Sequence, residues 1–159
     1  MKSKIIHSGF TLFELLIYMG VSAIILASLT QIFVLISRLR LESQSFSSIQ
    51  QDGAYFLSRF SYDLARSNTI TIPALGQQGN ILQTNQIRYS LDSNNHLQIT
   101  DSLGTAVLSN FDTSISNLNF YHLGGGGHDN VRISFTLTSQ VKELSGPQTL
   151  QFVTTVGTK

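Results

Sequence analysis

The spacing of apolar positions changes twice along this chain. From Leu15 to Ile36 they are almost continuous, and no charged side chain occurs in those 22 residues. Further on, Phe46, Ile49, Gly53, Phe56 or Leu57, Phe60 and Leu64 recur at steps of three and four. From Asn68 onward apolar and polar residues alternate. The first two patterns are those of a helix, apolar all round and then along one stripe. The third is that of strands with one apolar face.

There is no proline between Phe10 and Arg66, so the two helical patterns predict one nearly continuous helix from Phe10 to about Ser67. At 1.5 Å per residue it would be roughly 87 Å long, and its uncharged part alone about 33 Å, enough to cross a hydrocarbon core of about 30 Å. Arg38-Leu39-Arg40-Leu41-Glu42 marks the change from uncharged to amphipathic. Beyond it, Gln50, Gln51, Asp52, Ser58, Arg59 and Asp63 form the polar face. Arg59 and Asp63 are four apart, a surface pair worth a few tenths of a kcal/mol at most. Gly53 costs about 1 kcal/mol against alanine inside a helix. Close packing against a strand is the expected reason for it, and a kink is the alternative.

Thr69-Ile70-Thr71-Ile72 alternates and stops at Pro73, and Gly76-Gln77-Gln78-Gly79 is turn or loop sequence. Ile87, Tyr89 and Leu91, then Asp92-Ser93-Asn94-Asn95, then Leu97 and Ile99 make a hairpin signal. A further strand is expected through Ala106–Leu108, after Asp101-Ser102-Leu103-Gly104. Leu118, Phe120 and His122 alternate, as do Val131, Ile133, Phe135 and Leu137 after four glycines at 124–127. Ser145-Gly146-Pro147 breaks the chain before a last strand with Leu150, Phe152, Thr154 and Val156. One-sided strands suit an antiparallel sheet covered by a helix, and the stripe from Phe46 to Leu64 is the cover. The fold class is α+β.

Composition narrows the chemistry. The 159 residues suit one small domain plus an anchor. The formal charge is +1, and without Lys2 and Lys4 it becomes −1, eight basic residues against nine acidic. No basic patch or stripe signals a nucleic-acid partner. The absence of cysteine excludes disulfides and thiolate metal sites. The histidines, His7, His96, His122 and His128, show no ligand spacing. The run Gly124 to Gly127, followed by His128-Asp129-Asn130, is a strand connection first. An anion site on its amides, or calcium at Asp129 and Asn130, is the sharper alternative, without a phosphate-loop lysine or an EF-hand pattern behind it. Asp92, Asp101 and Asp112 are turn residues. No nucleophile elbow occurs. Neither an enzyme active site nor a cofactor or metal is expected.

One carboxylate, Glu14, stands at the amino-terminal edge of the apolar run, where an ionised group is costly and so points to function. A secretory signal peptide would explain Lys2, Lys4 and the small residues near Ser28, but its apolar core is about 7–15 residues long. An ordinary membrane anchor explains the length and leaves Glu14 unexplained. A third reading accounts for both. Gly9-Phe10-Thr11-Leu12-Phe13-Glu14-Leu15, behind the basic stretch with Lys2 and Lys4, resembles the cleavage and methylation motif of type IV pilins and type II secretion pseudopilins. The segments Tyr55–Arg66 and Gln148–Val156 are similar, more weakly, to minor pilins and the J-type minor pseudopilin.

The resemblance implies that a prepilin peptidase cuts between Gly9 and Phe10 and methylates the new amino group of Phe10. It implies residues 1–9 as leader, 10–37 as the transmembrane and filament-core half of the helix, 38–68 as its amphipathic half, and 69–159 as the sheet domain. Glu14, one helical turn from Phe10, would pair with that ammonium in its own chain or a neighbour's and so drive assembly. The implied partners are other pilin or pseudopilin subunits, the peptidase and the membrane. The implied location is the bacterial cytoplasmic membrane, crossed once with the sheet domain outside, and then a pilus or pseudopilus. Two other classes compete. One is a tip adhesin or DNA-uptake subunit of a competence apparatus that binds through its sheet loops. The other is an enzyme held by an ordinary span.

Overall fold

The computed structural model describes residues 11–125, 128–141 and 146–158. One helix, α1 (Leu12–Ala65), precedes nine strands. These are β1 (Ile70–Ile72), β2 (Gln78–Gly79), β3 (Leu82–Thr84), β4 (Arg88–Leu91), β5 (Leu97–Asp101), β6 (Gly104–Val107), β7 (Thr113–Gly125), β8 (His128–Ser139) and β9 (Thr149–Gly157). The fold is α+β, as the spacing requires. By contacts the chain divides into two compact units, one ending at Arg40 and one running from Leu41 to the end.

In the unit from Leu41, the strands form two antiparallel sheets where the sequence pattern suggested one. Five short strands take the order β1-β3-β4-β5-β6, and four others the order β2-β7-β8-β9. Alternation reveals which face of a strand is apolar, but not which neighbour it pairs with. Gln78 and Gly79, expected in a turn, form β2 and pair with Tyr121 and Phe120. The β4–β5 hairpin has the expected register, Tyr89 opposite Ile99 and Leu91 opposite Leu97. Its turn is built by Asp92, whose Oδ1 accepts the N–H groups of Asn94 and His96, both at 2.8 Å. Asp101 caps the next turn by accepting the Leu103 N–H at 2.8 Å.

The amphipathic end of α1 buries Ser45, Ile49, Gly53, Phe56, Phe60, Asp63 and Leu64. Stepping back by four from Ile49 lands on Ser45, so Phe46, expected on the stripe, stays half exposed. Phe60 joins the two sheets. Its ring centroid lies 4.8 Å from that of Tyr89 on β4, 5.8 Å from Phe120 on β7 and 6.2 Å from Phe135 on β8. Around it, Leu82, Leu97, Ile115, Val131, Ile133 and Leu137 are fully buried. Gly53 is explained by contact, not by a kink. A methyl group built on it would overlap the ring of Phe152 on β9, which stacks on Phe135 at 5.2 Å.

Two acidic residues assigned to the solvated face are engaged in the packing instead. Asp63 is buried, paired with Arg59 Nε at 2.8 Å, and accepts the hydroxyl hydrogen of Tyr89. Asp52 accepts from the hydroxyl of Thr113 and from the Asn110 N–H at 3.3 Å, tying α1 to the start of β7. The helix stops at Ala65, slightly short of the expected end. The N–H groups of Arg66 and Ser67 bond three residues back, to Asp63 and Leu64, and Ser67 Oγ donates to the Asp63 carbonyl at 2.9 Å. The last turn is thereby tightened and its free carbonyl satisfied.

Gly53→Ala gains helix propensity of about 1 kcal/mol but forces Phe152 off Phe135, and overpacking of this kind costs about 1–3 kcal/mol. A net loss of stability is expected, read as a lower denaturant midpoint, and shortening Phe152 to leucine should recover part of it. Burial, and then the hydrogen bond and charge of Asp63, push the Tyr89 phenol above its ordinary value of 10.0. An unfolded phenol ionises near pH 10 while the folded one stays protonated. Its contribution is therefore complete below about pH 10 and drains away as the pH rises further. Tyr89→Phe should lower stability near neutrality and flatten the alkaline decline, as measured by denaturation at stepped pH.

Candidate functional site

The segment that the sequence singles out is the start of α1. Gly9 and Phe10, the expected cleavage and methylation positions, lie outside the described residues, as do the leader, Gly126 and Gly127. Glu14 is in the first turn of α1 and exposed. Thr11 caps the helix: its Oγ1 accepts the Glu14 N–H at 3.3 Å, and its carbonyl accepts the Leu15 N–H at 3.2 Å. Thr11 and Glu14 thus have the Thr-x-x-Glu spacing of a capping box. Sequence reasoning missed this cap, although the spacing was there to find. A carboxylate at this position also faces the positive end of the helix dipole.

Downstream the apolar side chains find no cover. Leu15, Leu16, Ile17, Ile24, Ile25, Leu26, Leu29, Ile32 and Phe33 are all exposed, and Phe33 reaches 71%. These positions fall on every side of the helix. The helix is long and apolar enough to cross a membrane, with none of its most apolar window buried. Two of its hydroxyls are suited to a medium without water. Ser28 Oγ donates to the Ile24 carbonyl at 2.9 Å, and Thr30 Oγ1 to the Leu26 carbonyl at 2.8 Å. Each hydroxyl is satisfied inside its own helix, as hydrocarbon surroundings demand.

The described part of the glycine run, Gly124 and Gly125, ends β7. Gly124 pairs with Asp129 and Gly125 with His128 across the β7–β8 hairpin. The Asp129 carboxylate, the sharper reading's calcium ligand, already has partners. One oxygen accepts the Ile70 N–H at 3.4 Å, and the other lies 3.3 Å from His122 Nε2. His122 is buried, with Nδ1 2.9 Å from the Pro73 carbonyl. Its place in the Leu118, Phe120, His122 row already put it on the core face. Among the described residues no three His, Asp or Glu side chains gather in a way that would hold a metal ion.

Thr11→Ala removes the cap and should cost the first turn about 1 kcal/mol. Amide hydrogen exchange on detergent-solubilised protein should then speed up at residues 12–15 and stay unchanged from Ile49 to Leu64.

No protein-family model matches this chain, and searches of curated proteins and of solved structures return no match.

Proposed function

We propose that the chain is a structural subunit, of the minor type, of a type IV pilus or type II secretion pseudopilus. The observation that carries this reading is the capped first turn itself. Glu14 stands there at the head of an uncovered, uncharged apolar run, four residues after Phe10. Prepilin peptidase removes residues 1–9 and methylates Phe10. The cut leaves an ammonium on Phe10, four residues before Glu14 in sequence. A carboxylate taken out of water costs several kcal/mol unless a cation compensates it. Glu14 therefore favours the place where a Phe10 ammonium meets it, and a neighbouring subunit in a filament supplies one.

Until then the apolar half of α1 holds the chain in the cytoplasmic membrane, with the sheet unit on the far side. In the filament the same surface packs against other helices. The role is structural and no catalytic step is assigned to any residue.

The test joins processing to assembly. In cells with an active prepilin peptidase, intact mass should show a mature chain beginning at Phe10 and carrying one methyl group. Glu14→Gln removes the charge but keeps a polar side chain, Glu14→Leu removes both, and the Thr11 cap, made to the backbone N–H of residue 14, is open to each. Each should still be cut, and each should enter sheared filaments at least about tenfold less well, the equivalent of 1.4 kcal/mol. Recovery of the uncut chain, or wild-type incorporation of both variants, would defeat the reading.

A further inference from the structure

Among the described residues β9 is an open sheet edge. It closes one side of the four-stranded sheet, and among the described strands only β8 pairs with it. Its register with β8 runs without a shift from Thr138↔Thr149 to Asn130↔Gly157. The strand has nine residues, Thr-Leu-Gln-Phe-Val-Thr-Thr-Val-Gly, with no charge and no proline. Natural edges are usually blunted by lysine, proline, a bulge or shortness, and this one has none of these. The other open edges do: β1, β2 and β6 are three, two and four residues long. On β8 the core-facing Val131, Ile133, Phe135 and Leu137 are sealed. On β9 the corresponding row, Leu150, Phe152, Thr154 and Val156, is only half buried, and Val153 on the other face is 59% exposed.

We propose that β9 pairs antiparallel with β9 of a second copy about a twofold axis at Val153, joining two four-stranded sheets into one of eight strands. The sequence is self-complementary in that register. Val153 meets Val153, Gln151 meets Thr155, and Thr149 meets Gly157 on the exposed face. Leu150 meets Val156 and Phe152 meets Thr154 on the half-buried face. Apolar thus meets apolar or threonine, and no ionised group is desolvated.

The surrounding charge agrees. Arg132 on β8 lies beside Thr155. Its twofold mate falls four residues along and three strands across, about 20 Å away and beyond the Debye length of about 8 Å. A partner strand bearing charge would instead set an ion against Val153 or Phe152.

The size of the contact sets its strength. Nine residues give an edge of about 31 Å, and with a sheet about 10 Å thick the two copies bury on the order of 600 Å² in total, below the standard interface. The dimer is therefore weak and reversible, held mainly by backbone hydrogen bonds. It depends on the sheet unit alone and not on the filament reading.

The absence of cysteine gives a clean test on the full-length chain in detergent micelles. Across a twofold, Val153→Cys places two thiols on directly opposed residues, about 4.5–5.5 Å apart at Cα, within the range of a disulfide. It should cross-link on mild oxidation. Thr155→Cys should yield at least about tenfold less, because its mates sit four residues, about 13 Å, apart. Mixing Thr155→Cys protein with Gln151→Cys protein should restore the cross-link. Should Val153→Cys not fold, that mixture decides the matter alone. Val153→Lys sets two ammonium groups face to face and should weaken self-association in sedimentation by about tenfold or more. Equal cross-linking at 153 and 155, which parallel pairing or random collision would give, overturns the proposal. So does the absence of any cross-link, or one formed in cell membranes only to a different protein.

Discussion

Hydrocarbon that a chain does not cover itself must be covered by something else. From Leu12 to Leu41 the helix presents large apolar side chains on every side, and none of its most apolar window is buried. At about 25 cal/mol per Å² of apolar surface, water is an expensive solvent for such a segment. Lipid or other apolar helices are the remaining choices, and both require every backbone and hydroxyl group to be satisfied within the segment. The internal bonds of Ser28 and Thr30 go part of the way to meeting that requirement. Glu14 does not belong to the same logic. Its carboxylate sits where the uncharged apolar run begins, and taking it out of water as an ion costs several kcal/mol unless a cation compensates it.

The other end of α1 solves a different problem. Two antiparallel sheets expose two apolar faces, and a single helix stripe serves both because Phe60 lies against β4, β7 and β8 at once. Aromatic rings suit this place. Their edge-to-face packing tolerates several directions of contact and adds about 0.5–1.5 kcal/mol per pair beyond simple burial. Asp63, one turn further on, fixes the rotation of the helix. A buried carboxylate that accepts from Tyr89 and pairs with Arg59 has few acceptable positions, whereas a greasy stripe has many. Removing one member would leave an uncompensated buried group, the costly situation in any polar network.

Much of this was legible in the sequence, and the exceptions share a cause. The helix, the β4–β5 hairpin, the long alternation of β8 and the contact made by Gly53 follow from spacing within a segment. The division into two sheets does not, because a strand's partners lie far away in sequence while its period is local. Helical position alone puts Asp52 and Asp63 on the polar face. Their actual partners, Thr113 and Tyr89, come from distant strands. Phe46 fits a three-or-four step as well as Ser45 does, and only the register of the packed helix separates them. At the candidate site the balance differs. Thr11 and Glu14 are three residues apart, so their cap is legible in the sequence.

Capping and charge pairing make separate demands on position 14, and that separation bears on what the residue is for. A cap needs an acceptor at the side-chain end, which glutamine supplies as well as glutamate. The helix dipole rewards a negative charge there, but by only about 0.3–1 kcal/mol at an exposed end. Neither effect approaches the several kcal/mol that an unpaired carboxylate costs once water is removed. A residue kept for helix stability alone would therefore be uncharged as soon as the helix enters lipid. On the proposed reading the ionised group is compensated when a cation arrives at the same place, and a cut after Gly9 would supply one at the backbone nitrogen of Phe10.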